Sequence, residues 1–419
     1  MENWSELPGD IVEVFAKLIS LDVQDYARFG AVCKSWKSCL INVKENPIAG
    51  SPWLMLTTRE NDDRISEESE EGIRSFYIPS SKRVVNLKLP TQGRRCLGSC
   101  YSWVLSIGLD LNINLFNPLS QSQICLPPQP TFQYQQGCYV HPKKICRHYI
   151  RKFAVSSNPS LWRIAPDSDH ANSVMVIYGE ANYLAIARPG DKVWTSLEGP
   201  LGKRAQDIIF FNGHFYFLDY DGALLICETS TTKPSARIIA DCPDGVDPVS
   251  AEFSFYLVEL SGDLYFVERL FASDDTSDDD DDDSSDDDND NDCCDHDGSC
   301  DDDVNHNEDD VYCDFHYYTQ HFSVLKFDFN TMKWTTVESL GNHAIFVGNN
   351  SSFSISTSQY PDFRGNCIYF TDDHTEVYTS DFCDMGVYDI SKKCFQPLYV
   401  SDGELSKLSR PLFFMPTPL

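Results

Sequence analysis

The chain has 419 residues, with a hydrophobic content of 42%, an aromatic content of 13% and a formal net charge of −31. This composition supports a folded core, and the length allows one small and one large domain. The negative charge argues against nucleic acid as the main partner. Since no apolar run approaches the roughly 18 residues of a spanning helix and no secretory signal opens the chain, we expect no membrane contact and a cytoplasmic or nuclear location.

The first 45 residues predict three short amphipathic helices. Apolar side chains of the first helix recur at spacings that place them on one helical face: Ile11, Phe15, Leu18 and Ile19. Asp22 is a plausible N-cap for a second helix over 23–32, and Cys33, Trp36 and Leu40 are spaced as in a third. About 40 residues bury too little for a robust independent domain. We therefore expect a partner to complete the apolar surface of these helices.

This stretch resembles the F-box. The resemblance rests on a Leu-Pro start at Leu7-Pro8 and a Val-Cys-x-x-Trp finish from Val32 to Trp36. It implies docking onto the Skp-type adaptor of a cullin-based ubiquitin ligase. The residues that it implies for adaptor contact are Leu7, Pro8, Ile11, Val32, Cys33 and Trp36. The alternative is a helical cap that packs only on the domain that follows. The F-box is assigned to residues 1–45, and a linker rich in turn residues to 46–52.

Residues 53–419 predict a mainly β domain. Short apolar runs alternate with turn residues, and hairpins are predicted around residues 179–182, 219–222 and 260–262. Trp334 and Phe395 each follow an aspartate by six residues, an offset that suits a strand, a tight turn and a strand whose aromatic side chain points into the core. Repeated units of about 40 to 50 residues predict a β-propeller of about six or seven blades. A stack of β-sandwiches is the alternative.

The same region resembles the KIB-type β-propeller domain of a plant F-box family. The matching stretches are short and lie behind the F-box in the family's order: Gly98-Ser99 with Trp103, Asn117-Pro118-Leu119, and residues 151–157, 187–191 and 365–370. The combined resemblance implies the substrate-recognition subunit of a Skp-cullin-F-box ubiquitin ligase. In that arrangement the propeller binds the protein to be ubiquitinated, whose identity the sequence does not reveal. The chain would not itself be an enzyme and would need no cofactor.

One acidic segment, residues 273–310, interrupts the predicted propeller. Residues 274–310 hold 21 Asp and Glu and no Lys or Arg, so the rest of the chain has a net charge of −10. A like-charged run cannot bury apolar area, so a disordered insert between two strands of one blade is predicted. Calcium binding, zinc binding and recruitment of a basic partner are weaker alternatives. The Asp spacing is not that of an EF-hand, and the segment has no Cys-x-x-Cys pair.

No catalytic or metal-binding motif is visible elsewhere, and the ten His are dispersed. The 16 Cys are predicted to be reduced core thiols, as at Cys96, Cys125, Cys227 and Cys367. One basic patch is predicted to lie on a solvated loop, with contact to an acidic substrate as the alternative: His141, Lys143, Lys144, Arg147, His148, Arg151 and Lys152. Two other functions stay open, a small-ligand sensor or enzyme on the propeller channel and a scaffold that uses the F-box without degradation.

Overall fold

A computed structural model describes residues 6–19, 29, 32–42, 51–56, 73–89, 94–135, 142–162, 172–199, 202, 204–229, 233–246, 253–273, 317–349, 351–373, 384–398 and 410–416. Most of the predicted second helix and of the acidic segment lies outside these residues. In the described part, the α-helices are α1 (Gly9–Ile19), α2 (Lys34–Asn42) and α3 (Pro142–His148). No helix in these ranges has the length and apolar character needed to cross a membrane.

The described residues from 51 onward form 25 short strands, numbered in chain order. They are β1 (Trp53–Met55), β2 (Ile73–Ile78), β3 (Arg83–Lys88), β4 (Arg94–Cys100), β5 (Trp103–Gly108), β6 (Ile113–Asn117), β7 (Ser122–Cys125), β8 (Ile150–Val155), β9 (Val174–Tyr178), β10 (Tyr183–Ala187), β11 (Thr195–Ser196), β12 (Ala205–Phe211), β13 (His214–Asp219), β14 (Leu224–Glu228), β15 (Ser235–Ala240), β16 (Phe253–Leu260), β17 (Asp263–Ser273), β18 (Tyr317–Asp328), β19 (Lys333–Thr336), β20 (His343–Val347), β21 (Phe353–Ser356), β22 (Cys367–Phe370), β23 (Gly386–Asp389), β24 (Cys394–Gln396) and β25 (Leu412–Phe414).

These strands form the six blades of a β-propeller, which confirms the predicted fold. Blades 2 to 5 are four-stranded sheets of consecutive strands, and blade 6 has five strands in the order β21-β20-β22-β23-β24. Blade 1 combines β1, β2 and β3 with the last strand of the chain, because Trp53 pairs with Phe414 and Leu54 with Phe413. The ring is thus closed by a strand pair between the two ends of the domain. The inner strands β25, β4, β8, β12, β16 and β21 adjoin one another in that order.

The predicted hairpins are confirmed at their turns. Residues 179–182 join β9 to β10, residues 220–223 join β13 to β14, and Ser261 and Gly262 join β16 to β17. The acidic segment connects β17 to β18, which pair in one sheet with Ser273 opposite Tyr317. The predicted disordered insert itself lies outside the described residues and stays a prediction.

Three expectations about individual side chains differ from the structure. Trp334 is half-buried against the core, but Phe395 is 40% exposed, because it lies on the outer strand β24 of blade 6. Cys96, Cys227 and Cys367 are buried, whereas Cys125 on the outer strand β7 is exposed. Lys152 of the predicted solvated patch is drawn into the interior, where Asp207 compensates its charge. An outer strand of a blade leaves part of its side chains exposed to solvent, and a run of apolar residues in the sequence does not reveal which strands are outer ones.

The propeller has two distinguishable ends. Trp53 begins β1 beside Phe414, and the Met415 carbonyl next to it accepts a hydrogen bond from Ser102 Oγ in the β4–β5 turn. β1 therefore begins at the end of the propeller that carries the turns between first and second strands, called the linker end. The opposite end carries the connection from α3 into β8 and the connection between β17 and β18.

Candidate functional site

The N-terminal residues 6–19, 29 and 32–42, called the helical head, have a very small core. Val12 of α1 and Trp36 of α2 are buried together with Phe29, at 0%, 9% and 3% exposure. The Phe29 and Trp36 rings lie 4.4 Å apart between centroids. Leu7, Cys33 and Cys39 pack against this trio from partly buried positions. A core of three buried side chains is small, so the described part of the head gains little stability from it.

One face of α1 presents large apolar side chains to solvent. Ile11, Val14 and Phe15 are 42%, 57% and 41% exposed, and their spacing of three and one places them on adjoining turns of the helix. Val32, before α2, is 46% exposed. We call these four residues the exposed apolar face. Isolated apolar residues on a surface are ordinary, but four in so small a helical unit indicate a contact surface.

The structure divides the six residues predicted for adaptor contact into two groups. Pro8, Ile11 and Val32 are exposed, and the Pro8 carbonyl accepts hydrogen bonds from Ile11 and Val12 at the start of α1. Trp36 is buried, and Leu7 and Cys33 are half-buried, all against the core of the head. The structure therefore does not bring all six into one cluster, because the Trp36 ring already fills the space between the helices.

Two residues of the exposed apolar face, Val14 and Phe15, are not among the six predicted for adaptor contact. Phe15 was assigned to the apolar face of the first helix, and Val14 was not singled out. The sequence carries a signal for Val14, since it follows Ile11 by three positions, a spacing that places both side chains on one face of a helix. Val12 was not predicted as a core residue, although it is the most deeply buried residue of α1 among those described.

The propeller contains a buried arginine that sequence reasoning did not find. Arg269 on β17 has no exposed surface, and its guanidinium lies 3.0 Å from Asp373 Oδ1 and 3.0 Å from Asp384 Oδ2 of blade 6. It also donates to Thr319 Oγ1 at 2.9 Å and to the Thr371 carbonyl at 2.9 Å. The only sequence signal was an arginine inside an apolar strand. This side chain joins blades 5 and 6 by paired charges and hydrogen bonds.

Aromatic rings surround the Arg269 charge. Phe271 and Phe370 lie 4.8 Å from the guanidinium carbon, and the Tyr256 hydroxyl is within 3.4 Å of Nη1. Burial alone would lower the pKa of Arg269, but Tyr256 and the two aspartates outweigh it and raise that pKa. The Tyr256 hydroxyl donates to Asp373, and burial raises the pKa of Tyr256 as well. The arginine is held charged and the tyrosine neutral.

A second buried pair joins blades 3 and 4. Lys152 Nζ on β8 lies 3.3 Å from Asp207 Oδ1 on β12, and 4.6 Å from the centre of the Tyr256 ring on blade 5. The other oxygen of Asp207 accepts a hydrogen bond from the Leu257 backbone N–H at 2.7 Å. Burial raises the pKa of Asp207 despite the opposing effect of Lys152. Through the neutral Tyr256 ring this pair adjoins the Arg269 cluster, so two charge clusters and the tyrosine between them connect four consecutive blades.

Blade 6 also reaches across the central axis. The Gly98 backbone N–H of blade 2 donates to the Asn349 carbonyl at 3.0 Å, and Ser351 Oγ donates to the Phe153 carbonyl of blade 3 at 2.8 Å. In a ring of six blades, blade 3 lies opposite blade 6. Residues flanking the β20–β21 connection therefore bind the far side of the axis. Among the described residues, no group of three or more metal-ligating side chains comes together.

Comparison with known proteins places these features in a family. The family described as KIB1-4 beta-propeller matches residues 75–389, three quarters of the chain. The chain belongs to this family. A putative F-box protein of Arabidopsis thaliana is 26% identical over 408 residues, covering 95% of this chain and 93% of that protein. The F-box protein SKIP23 of Arabidopsis thaliana is 22% identical over 385 residues, covering 88% of this chain and 84% of that protein. This confirms the resemblance of the propeller to KIB-type domains.

Proposed function

We propose that this KIB-type protein is the substrate-recognition subunit of a Skp-cullin-F-box ubiquitin ligase. The helical head docks on the Skp-type adaptor, and through it on a cullin, while the propeller binds the protein to be ubiquitinated. The chain supplies binding surfaces, and the transfer of ubiquitin is carried out by the other subunits. The observation that carries the proposal is the exposed apolar face of the head, on a chain whose family relatives are named F-box proteins.

The physical argument concerns the apolar area left in water. Covering a half-exposed Ile, Val or Phe contributes of order 1 kcal/mol each at about 25 cal/mol per Å², so a partner that covers the exposed apolar face gains several kcal/mol from it. We propose Ile11, Val14, Phe15 and Val32, with Pro8 beside them, as the residues that the adaptor desolvates. Leu7, Cys33 and Trp36 hold the two helices at the spacing that presents this face.

The propeller suits the second role because it is rigid and self-contained. Among the described residues, Arg269 pairs with Asp373 and Asp384 in the interior, and Lys152 pairs with Asp207. Such sites stabilise the domain and leave its exposed connections free to recognise a partner. This arrangement favours a protein-binding platform over the small-ligand sensor or enzyme in the channel, since hydrogen bonds to the Asn349 carbonyl and from the Ser351 hydroxyl cross the axis.

Size-exclusion chromatography of the full chain with a purified Skp-type adaptor tests the proposal. We expect one co-eluting species for the unmodified chain, and separate elution when Ile11→Asp and Phe15→Asp are introduced together. The matched control is Val193→Asp with Leu161→Asp, two propeller residues that are 56% and 58% exposed. The control should still co-elute. Separate elution of the unmodified, folded chain would overturn the assignment.

A further inference from the structure

Two aromatic side chains meet where blades 4 and 5 adjoin, at the end of the propeller opposite the linker end. Tyr220 is 43% exposed in the turn between β13 and β14, the second and third strands of blade 4. Its ring lies 5.4 Å from that of Phe253, the half-buried first residue of β16. Phe253 in turn stacks on the buried Phe255, with 4.4 Å between ring centroids. Tyr220 is therefore an exposed aromatic side chain backed by rings that the propeller core holds in place.

Three exposed aspartates border this aromatic pair. Asp221 follows the tyrosine in the same turn. Asp241 and Asp244 lie just after β15, the outer strand of blade 4. The segment that carries them passes beside the turn, since a Cβ at Gly222 would lie 2.6 Å from the sulfur of Cys242. The rings and the carboxylates thus form one surface, which we call the Tyr220 surface: Tyr220, Asp221, Asp241, Asp244 and Phe253.

The negative charge of this surface is only partly compensated. The described Lys and Arg between residues 204 and 246 each face a carboxylate: Arg204 with Asp221, Lys233 with Glu198 and Arg237 with Glu228. Asp241 and Asp244 take part in no ion pair within the described part of the chain. Burial and then the charge of Asp221 raise the pKa of the neighbouring Asp219. A cation brought to this surface relieves the repulsion between its carboxylates.

The surface already holds one cation that belongs to the chain itself. The Arg204 guanidinium carbon lies 5.0 Å from the centre of the Tyr220 ring, and Nη2 lies 3.3 Å from Asp221 Oδ1. Both partners of this ion pair are more than half exposed. An aromatic ring beside a carboxylate attracts a cation through the ring quadrupole and through charge. The ring and Asp221 therefore accommodate a guanidinium at the surface, and Asp241 and Asp244 remain available for another cation.

The composition and the charge of this surface indicate the kind of partner that fits it. Tyr and Arg are enriched at the centres of protein interfaces, where a rigid aromatic side chain often acts as the anchor. The overall charge of −31 attracts cationic partners, with a screening length of about 10 Å in roughly 0.1 M salt. The same charge repels polyanions. A basic polypeptide segment matches both the aromatic and the acidic part of the surface.

We propose that the Tyr220 surface binds a basic segment of the protein substrate, in which Lys or Arg alternate with apolar side chains. The cationic side chains face Asp241 and Asp244, and the apolar ones pack on Tyr220 and Phe253. The inference rests on the proposed function for calling the partner a substrate, and it narrows that function to substrates that carry such a stretch. A segment bound there stays clear of the linker end, where β1 begins.

Fluorescence anisotropy with a short labelled peptide of alternating Lys and Val tests the inference on the full chain. Tyr220→Ala should weaken binding about fivefold, because it removes the exposed ring without changing the net charge. The matched control is Tyr101→Ala, since Tyr101 is 45% exposed in the β4–β5 turn at the linker end. The control should bind within about twofold of the unmodified chain. Equal affinities for the two variants would overturn the inference.

A second pair of variants tests the carboxylates. Asp241→Asn with Asp244→Asn should weaken peptide binding about tenfold and make it less sensitive to salt, because two attractions are removed. The control, Asp191→Asn with Asp362→Asn, makes the same change of net charge at exposed positions in the β10–β11 and β21–β22 connections. Equal weakening by both double variants would mean that only the net charge matters, and the inference would then be wrong.

The place of binding is measured separately, because the acidic residues 274–310 also attract a cationic peptide. The same peptide carries a photoreactive group, and cross-linked residues of the full chain are identified by mass spectrometry. We expect cross-links to residues 219–223 and 241–246. Cross-links confined to residues 274–310 would show that the acidic segment is the binding site, and would overturn the inference.

The two proposals fail separately. If the adaptor co-elutes with the chain but the peptide does not cross-link to the Tyr220 surface, the surface inference is wrong and the ligase role stands. If the peptide binds as expected but the adaptor does not co-elute, the surface remains and the substrate interpretation falls. Circular dichroism of each variant verifies that the propeller is folded.

Discussion

The helical head and the propeller use apolar and charged side chains in opposite ways. In the head, three large residues are buried and four are exposed, at Ile11, Val14, Phe15 and Val32. In the propeller, charges that normally face water are buried and paired, as with Arg269 and its two aspartates. The difference is that the propeller pairs these charges internally, whereas the head leaves apolar side chains exposed to solvent.

The largest expected effect is on the propeller's stability. Arg269→Met leaves Asp373 and Asp384 buried without a compensating charge, which should lower the free energy of unfolding by about 3–5 kcal/mol. Urea unfolding followed by fluorescence measures the change. Arg237→Met is the control, because its pair with Glu228 is 60% and 55% exposed and should contribute less than about 1 kcal/mol. Equal losses in the two variants would show that the buried cluster does not join blades 5 and 6.

A smaller loss is expected at the crossing of the axis. Gly348 has φ +130°, and a Cβ there would clash with Thr371 Oγ1 and lie 2.9 Å from the Thr371 carbonyl. Gly348→Ala should therefore cost about 2 kcal/mol in thermal unfolding, because both backbone strain and a clash arise. Gly213 also has positive φ but open space around it, so Gly213→Ala should cost about 1 kcal/mol. A Gly348→Ala protein no less stable than the Gly213→Ala protein would argue against a tightly packed axis.

A pH-dependent effect follows at the β23–β24 turn. Hydrogen bonds from the Ser391 hydroxyl and from the Ser391 and Lys392 backbones lower the pKa of Asp389 to about 2. Because Asp389 has a lower pKa in the folded protein than the value of about 4 in the unfolded chain, its carboxylate stabilises the folded state at pH values above about 4. This contribution is lost as the pH falls towards about 2. Asp389→Asn should cost about 1 kcal/mol at pH 7 and roughly half as much at pH 3. A difference that does not change with pH would contradict this assignment.

The sequence predicted the propeller because its signals are local. Alternating apolar runs and turn residues such as Gly222 and Gly262 act within a hairpin, so β13–β14 and β16–β17 could be placed without knowledge of the rest of the fold. The Leu-Pro and Val-Cys-x-x-Trp pattern likewise indicated the head. The sequence does not decide between six and seven blades, because the closing pair of Trp53 with Phe414 joins residues at opposite ends of the domain.

Interactions between distant residues could not be predicted. Arg269 meets Asp373 and Asp384 more than 100 positions away, and no spacing rule connects them. For the same reason Lys152, next to Arg151 in a basic run, was assigned to solvent although it pairs with Asp207 on the next blade. Within the head, periodicity identified an apolar helix, but only the position of Trp36 decides that Val12 faces inward and Val14 outward.

Calorimetric titration of the full chain with a Skp-type adaptor tests the central claim most directly, using two valines of nearly equal exposure. Val14 on α1 is 57% exposed and Val193 in the propeller is 56% exposed. Val14→Ala should weaken adaptor binding roughly fivefold, about 1 kcal/mol, and Val193→Ala should leave the dissociation constant unchanged. Identical dissociation constants for the two variants, or no heat of binding from a folded chain, would contradict the claim that the head is completed by the adaptor.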